Sequence, residues 1–433
     1  MISKIFRFLW GDISKKEFKK LSIFSMALLF IMVAYWMTRP IKDALFLSLV
    51  GKSLLPYAKI LSLGVLCLLL VGYAKLVDWF KKNHLFYIVT SLLSIFLLVL
   101  AIIIAKNPDL YAQQSYLSKF VGWSAYILID CSRVLMFSLF WSFVNSCVDV
   151  ATAKKGYPLI IAGAKVGAIA GPLMTLSATK IGIDSLLFIA GVLIFIVAII
   201  IKIFTNIYPE ILVEDAANVP QKSTGAFEGL RLLMKHPYLI GIFVVSIFPD
   251  LIAEILHFSL LFLAGNSYHS PEQIVSFLGR CDILTSSITL IFALFGTSLF
   301  LRTYGIIAWL MLYPFIIAVG VIYTWIFYSL WSLVVVLAIL RGLSHALDQP
   351  YKEILFIPTS KDIKFKSRSW IGAFGTRSAQ GMSAGLVVFF SYMGNLLVYG
   401  SIFSLGLIGL CLPVAWYVGK TNNKFIQEDK ILE

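Results

Sequence analysis

The stretch that decides the fold is Leu85–Ala105, LFYIVTSLLSIFLLVLAIIIA, which contains no charged side chain. As a helix rising 1.5 Å per residue, it is long enough to cross the hydrocarbon core of a bilayer, which is about 30 Å thick. Leu186–Ile201 and Ile306–Tyr323 are comparable runs. Because lipid offers the backbone no hydrogen-bond partners, such runs must be helical. The stretch therefore predicts an α-helical membrane protein.

The composition of the whole chain agrees with this prediction. Of its 433 residues, 60% are hydrophobic and 13% are charged, whereas soluble domains carry about 25% charged residues. We predict an all-α membrane protein of about 12 transmembrane helices, embedded in the lipid bilayer. The expected spans are 21–38, 54–75, 84–105, 121–147, 158–178, 184–204, 237–264, 274–300, 304–325, 329–345, 370–393 and 398–418.

The basic residues predict the orientation of the chain. If the N-terminus is cytoplasmic, 25 of the 36 Lys and Arg residues fall on the cytoplasmic side, seven on the opposite side and four at membrane depth. Cytoplasmic loops carry the excess of Lys and Arg, so both termini are expected to be cytoplasmic. The net charge of +14 is explained by this bias. In the absence of a Gly-rich phosphate loop or a basic–aromatic stripe, we do not expect nucleic-acid binding.

A polar stretch, Tyr208–Lys235, divides the predicted spans six and six. Two six-helix halves joined by a cytoplasmic linker are typical of the major facilitator architecture, in which the substrate site lies between the halves at mid-depth. The expected segments are a basic cytoplasmic N-terminus (1–20), an N-terminal half (21–207), a linker (208–236), a C-terminal half (237–418) and a cytoplasmic tail (419–433).

The residue types of catalysis and metal binding do not form a pattern here. The five cysteines lie in apolar runs without a CxxC pair, and the five histidines lack metal-ligand spacing. There is no Walker motif, so ATP-driven pumping is not expected. We predict no metal site, no cofactor and no enzymatic activity.

Cations within or beside the predicted spans are candidates for binding substrate, because a charge in a membrane is costly and needs a reason. Pro40 is expected to end the first helix between Arg39 and Lys42, where both cations could meet an anion or instead extend to the interface. Lys165 and Arg377 lie among small residues that allow close helix contacts. An anionic substrate is therefore expected, with these candidate contacts: Lys42, Arg39, Arg133, Lys165, Arg280 and Arg377.

Four acids are candidates for coupling or gating: Asp43, Asp130, Asp250 and Glu254. Asp130 and Arg133 share a helix face, as a self-neutralised structural pair or as part of a site. Asp250 and Glu254 also share one face, where they could pair with a cation or carry a proton. Arg280 and Asp282 are candidate partners for them.

Several motifs resemble one known family, the ATP/ADP translocases of plastids and obligate intracellular bacteria. Arg39-Pro40-Ile41-Lys42-Asp43 resembles the family's R-x-x-K-D. Phe140–Asn145 is similar to its F-W-x-F-A-N, and Ala151–Tyr157 to its A-x-A-K-R-x-Y. The most specific match is Leu347–Pro358, followed by Asp362, which is similar to F-D-x-x-K-x-x-A-Y-I-P-L-D-x-D.

The resemblance implies a secondary transporter that exchanges ATP for ADP or moves another nucleotide. It implies a multi-pass protein of a bacterial inner membrane, expected to be a monomer. Lys42 would correspond to a lysine that matters for transport, and Glu254 to an acid of the seventh span. Asp348, Lys352 and Asp362 would belong to a cytoplasmic motif in the loop 341–368.

The chain departs from the family pattern at two sites. Gln380 replaces a lysine in the eleventh span, and His257-Phe258 replaces a Trp-Lys pair after Glu254. With one cation fewer, the remaining cations would also suit NAD or another anionic metabolite, transported with or without proton coupling. A membrane receptor that does not transport is a third interpretation.

Overall fold

The regular elements of the computed structural model are helices. The model describes residues 14–79, 82–111, 115–148, 150–209, 228–293, 297–360, 363, 367, 370–392 and 395–428. The helices are α1 (Lys15–Leu49), α2 (Leu55–Trp79), α3 (Lys82–Lys106), α4 (Tyr116–Cys147), α5 (Val150–Thr175), α6 (Ala178–Ile207), α7 (Pro237–Ser267), α8 (Pro271–Ile291), α9 (Thr297–Ile326), α10 (Leu330–Leu355), α11 (Thr376–Tyr392) and α12 (Leu396–Gln427). A short helix, Glu228–Lys235, precedes α7.

Eleven of these helices are long and apolar enough to cross a membrane, counting the described residues only. The remaining one, α11, has 17 residues and directly follows a π-helical turn, Ile371–Gly375. The turn and α11 together match the span expected at 370–393. The prediction of an all-α membrane protein is thus confirmed.

The first helix does not end at Pro40, and that prediction was wrong. Ser14 caps the N-terminus of α1 with its side chain, and the helix then runs through Pro40 to Leu49. Proline removes one backbone hydrogen bond, but leaving the helix would expose several more polar groups to an apolar environment. Arg39, Lys42 and Asp43 therefore lie inside a helix whose last ten residues, 40–49, are almost all buried.

The tenth helix also extends further than predicted. The sequence predicts a span that ends at residue 345 and a cytoplasmic loop at 341–368. The structure instead continues α10 through a π-helical turn, Ser344–Asp348, to Leu355. Asp348 and Lys352 lie one helical turn apart and pair with each other, so neither charge forces the helix to end. Both residues belong to a helix rather than to a loop.

The chain divides into two compact units. The first comprises residues 1–219 and 268–283, and the second comprises residues 220–267 and 284–433. The division at 219/220 falls in the linker expected at 208–236. A second division falls inside α8, whose first 13 residues are grouped with the first unit.

Each unit is built around its first helix. In the first unit α1 packs against α4, α5 and α6, and in the second unit α7 packs against α10, α11 and α12. The pairing of the third and sixth helices, α3 with α6 and α9 with α12, also recurs. Side chains on the first and fourth helices of each unit can therefore meet within that unit.

The contact between α1 and α5 depends on glycine. A Cβ added at Gly167 would lie 2.5 Å from the carbonyl oxygen of Leu29, and one added at Gly171 would lie 2.7 Å from Cβ of Trp36. Together with Gly163 these residues repeat every four positions and form one face of α5. The small residues around Lys165 thus bring two helix backbones together, as expected of such residues in membranes.

We expect Gly167→Ala to lower the stability of the protein by about 1–3 kcal/mol, because the added methyl group overpacks a backbone contact. The matched control is Gly64→Ala on α2, where an added Cβ meets no atom within 4 Å. The measurement is the thermal unfolding midpoint of both variants in detergent. Equal midpoints would show that α1 and α5 are not in this close contact.

Candidate functional site

Two lysines and two aspartates meet inside the first unit, on α1, α2 and α4. We call Lys42, Asp43, Lys59 and Asp130 the α1–α4 charge cluster. Lys42 Nζ lies 2.8 Å from Asp43 Oδ1 and 3.6 Å from Asp130 Oδ1. Lys59 Nζ lies 3.4 Å from both oxygens of Asp130. The four side chains are only 6–9% exposed, so the cluster is buried and balanced in charge.

Neutral groups complete this cluster. The hydroxyl of Ser62 donates to Asp130 Oδ2 at 3.0 Å. The ammonium of Lys42 lies 4.0 Å from the ring centroid of Tyr126, a cation–π contact. Breaking a buried ion pair on one side leaves an uncompensated charge, which costs about 3–5 kcal/mol. Any anion that competes for Lys42 must therefore provide a substitute for the contacts of Asp43 and Asp130.

Arg133 does not neutralise Asp130, contrary to one of the two expectations for this pair. Its Nη1 instead donates to the hydroxyl of Tyr35 at 3.3 Å, and its guanidinium lies 5.4 Å from the ring centroid of Tyr35. A cavity of about 20 Å³ beside Arg133 is lined also by Thr38 and Ser132, and is large enough for one water molecule.

Arg39 also pairs within the first unit. Its Nη1 lies 3.4 Å from Asp282 Oδ1 on α8, and its guanidinium lies 5.3 Å from the ring centroid of Trp36. Asp282 was expected as a partner of Asp250 or Glu254. The structure places it beside Arg39, where it partly offsets the charge of the guanidinium.

The second unit has its own buried charges, between α7 and α10. We call Asp250, Glu254, Arg341, Asp348 and Lys352 the α7–α10 charge cluster. Glu254 Oε1 lies 3.6 Å from Arg341 Nη2, and Lys352 Nζ lies 2.6 Å from Asp348 Oδ2. Lys352 also donates to the carbonyl oxygen of Ser246 on α7 at 3.3 Å. Asp250 lies on α7 one helical turn before Glu254.

This second cluster contains three acids and two bases. If every group is ionised, it carries one excess negative charge. The α1–α4 charge cluster has no such excess. Excess charge at membrane depth favours binding of a counter-charge, which can be a cation or a proton.

The other candidate cations have different surroundings. Lys165 and Arg280 are exposed, on α5 and α8, and no charged partner lies beside Lys165 among the described residues. Arg377 is half-buried, and its Nη1 donates to Gln380 Oε1 at 3.0 Å. Gln380 is 9% exposed. Asp362 lies outside the described residues.

Sequence reasoning left two site residues out. Lys59 is not among the candidate cations, yet it is 7% exposed and pairs with Asp130. Its position inside an apolar stretch, four residues after Leu55, is the feature of the sequence that could have identified it. The sequence predicts Arg341 in a loop. It lies opposite Glu254 because α10 is longer than predicted.

Comparison with known proteins identifies the family. A profile of the TLC ATP/ADP transporter family matches residues 1–419. The chain belongs to this family. The match covers both units and both charge clusters, which confirms the resemblance inferred from the motifs.

Individual relatives are distant but align along nearly the whole chain. The ADP,ATP carrier protein 3 of Rickettsia conorii is 22% identical over 495 aligned positions, which cover 98% of each protein. The ADP,ATP carrier protein 1 of Chlamydia trachomatis is 24% identical and covers 92% of this chain and 86% of the relative.

Solved structures share the fold. A bacterial homologue of the iron transporter ferroportin, in its inward-facing state, has a TM-score of 0.62 at 14% identity and covers 94% of this chain and 100% of its own. The peptide transporter PepTSo has a TM-score of 0.62 at 12% identity, with coverage of 97% and 100%. The nucleoside transporter NupG has a TM-score of 0.57 at 15% identity, with coverage of 92% and 98%. The fold is major facilitator-like, as predicted.

We expect Lys352→Met to lower stability by about 3 kcal/mol, because it leaves the buried carboxylate of Asp348 without its cation. The matched control is Lys424→Met, which breaks another i, i+4 pair, with Glu428, whose side chains are 68% and 49% exposed. Such exposed pairs contribute little. Thermal unfolding in detergent is the measurement, and equal midpoints for the two variants would contradict the buried pairing.

Proposed function

We propose that this chain is a secondary transporter that moves nucleotides across a membrane by alternating access. The observation that carries the proposal is the buried cluster around Lys42 in a member of the TLC ATP/ADP transporter family. Lys42 lies on α1, the helix around which its unit is packed. Transport rather than catalysis is the activity, and exchange of ATP for ADP is its first candidate form.

The proposed anion-binding residues are cations that are not buried behind other helices: Arg39, Arg133, Lys165 and Arg280 in the first unit, and Arg377 in the second unit. Each is exposed or half-buried. Guanidinium groups suit phosphate because their planar fork can bind two oxygens at once. Lys42 completes the set in a state in which its contacts with Asp43 and Asp130 are exchanged for phosphate.

The acids are proposed to hold these cations when no substrate is bound. Asp43 and Asp130 neutralise Lys42, and Glu254 neutralises Arg341. Substrate phosphate would compete for the same cations, so binding would release the acids. This exchange of partners couples substrate binding to a change in contacts between the first and fourth helices of a unit.

We further propose that residues 21–207 and 237–418 are the two halves of the transporter, joined by 208–236. The Lys and Arg bias supports a cytoplasmic position for both termini. The proposed location is a bacterial inner membrane, and the proposed transporting unit is a monomer. Arg341 and Lys352 lie within α10 and no longer count as loop cations, but the remaining bias keeps its direction.

A second candidate is proton-coupled uptake of a nucleotide or another anionic metabolite. The excess acid of the α7–α10 charge cluster favours it, because a proton taken up there would neutralise the cluster. Under this alternative, uptake depends on a pH gradient across the vesicle membrane. It does not depend on nucleotide inside the vesicle.

The deciding experiment is counter-exchange in proteoliposomes. Vesicles loaded with ADP should take up labelled ATP, and empty vesicles should take up little. The panel includes GTP, UTP, NAD, a sugar phosphate and a dicarboxylate. Uptake of a non-nucleotide anion alone would replace the leading proposal, and uptake that follows an imposed pH gradient into empty vesicles would select the second candidate.

We expect Lys42→Met to abolish exchange and to lower stability, because Lys59 alone then faces two buried carboxylates. The double variant Lys42→Met/Asp43→Asn removes the whole pair and leaves Lys59 with Asp130. It should regain stability by about 3 kcal/mol relative to Lys42→Met and should still fail to exchange nucleotide.

The two measurements separate the roles of Lys42. Unfolding midpoints report the charge balance, and initial uptake rates report transport. Normal exchange by the double variant would remove Lys42 from the substrate path.

A further inference from the structure

One face of α1 remains partly uncovered in the middle of the helix. Met32, Tyr35, Trp36 and Arg39 are each half-buried, whereas residues 33, 34, 37, 38 and 40 are buried. The spacing i, i+3, i+4, i+7 places the four half-buried residues on a single face. Tyr35 is the 21st of the 35 residues of α1, so this face is central along the helix.

On this face, two aromatic rings and two guanidinium groups contact one another. The rings of Tyr35 and Trp36 have centroids 5.5 Å apart at an interplanar angle of 63°. Arg133 lies over Tyr35 at 5.4 Å, and Arg39 lies over Trp36 at 5.3 Å. Phe137 of α4 adds an edge-on contact to Tyr35 at 6.5 Å. The cluster thus presents π-surface beside positive charge.

The cluster contains two positive charges. Arg39 pairs with Asp282, whereas the contacts of Arg133 are with the hydroxyl and ring of Tyr35. The indole Nε1 of Trp36 is a further feature, because this buried donor has no hydrogen-bond acceptor among the residues that the structure describes. Buried donors normally have an acceptor.

A ligand that matches this arrangement carries an aromatic ring, hydrogen-bond acceptors and several negative charges. A nucleotide has all three. Bases stack on aromatic side chains regardless of sequence identity because every base has a π-face. Arginine binds phosphate through its planar fork. A sugar phosphate or a dicarboxylate would use the arginines and leave the rings without a partner.

We propose that Tyr35 and Trp36 form the stacking surface for the nucleobase, with Arg39 and Arg133 directed to its phosphates. This inference rests on the proposed function and assigns residues to the base. The cavity beside Arg133 has room for about one water molecule, so it does not hold a base. The base therefore lies against the uncovered face of α1 rather than between α1 and α4.

The test compares a nucleotide with a ligand that has the phosphates alone. Purified protein in proteoliposomes is assayed for inhibition of labelled nucleotide uptake by unlabelled ATP and by inorganic tripolyphosphate. Tyr35→Leu and Trp36→Leu should each raise the half-inhibitory concentration of ATP by about tenfold, in the range expected when one stacking contact is lost. The half-inhibitory concentration of tripolyphosphate should change less than about twofold, because its contacts are ionic.

Two further variants keep the test specific. Tyr35→Phe retains the ring and loses the hydroxyl that accepts from Arg133, so its ATP-to-tripolyphosphate ratio should stay near that of the wild type. Trp416→Leu is the matched control, because Trp416 also carries a cation over its ring, Lys420 at 4.9 Å, but is 51% exposed on α12. It should behave as the wild type. Size-exclusion profiles confirm that each variant is folded.

The outcomes distinguish this inference from the proposed function. If the wild type takes up nucleotide and the leucine variants change both inhibitors equally, the stacking surface is wrong and nucleotide transport stands. If the wild type takes up no nucleotide, the proposed function fails. If Tyr35→Phe has the same effect as Tyr35→Leu, the hydroxyl rather than the ring is responsible, and the inference is overturned.

Discussion

The rest of this structure depends on how it neutralises charge in the middle of a membrane protein. Lys42 is held between Asp43 and Asp130, and Lys59 contacts the same carboxylate of Asp130. Without those carboxylates, neither lysine could remain buried, because its charge would be uncompensated. The contact between α1 and α4 is therefore fixed by ion pairs as well as by apolar packing.

The second unit also neutralises buried charge between its first and fourth helices. Its first and fourth helices, α7 and α10, meet through Glu254 and Arg341, and Lys352 reaches a carbonyl oxygen of α7. The two units thus use one packing plan with different charged residues. Their charge balance differs, because the second cluster has one acid more than it has cations. A transporter built in this way can assign substrate binding and coupling to different units.

Much of the fold could be predicted from apolar run length, since a run such as Leu85–Ala105 has no other stable state in lipid. The continuation of α1 through Pro40 and of α10 beyond residue 345 could not be predicted, because each depends on tertiary context. Pro40 stays in α1 because the surrounding helices bury it, and α10 continues because Lys352 neutralises Asp348. The site was predicted in part: Lys42 and Asp130 were named. Their meeting with Lys59 depends on helix packing that local spacing does not encode.

The direct contact between Lys42 and Asp43 has a consequence for biosynthesis. Asp130 lies almost 90 residues further along the chain. At a synthesis rate of about 5–20 residues per second, Asp130 would be synthesised on the order of ten seconds after Lys42. During this interval the neighbouring carboxylate, 2.8 Å away, is the counter-ion that α1 carries with it. An aspartate directly after the lysine gives Lys42 a counter-ion within its own helix, before the helix that completes the cluster has been made.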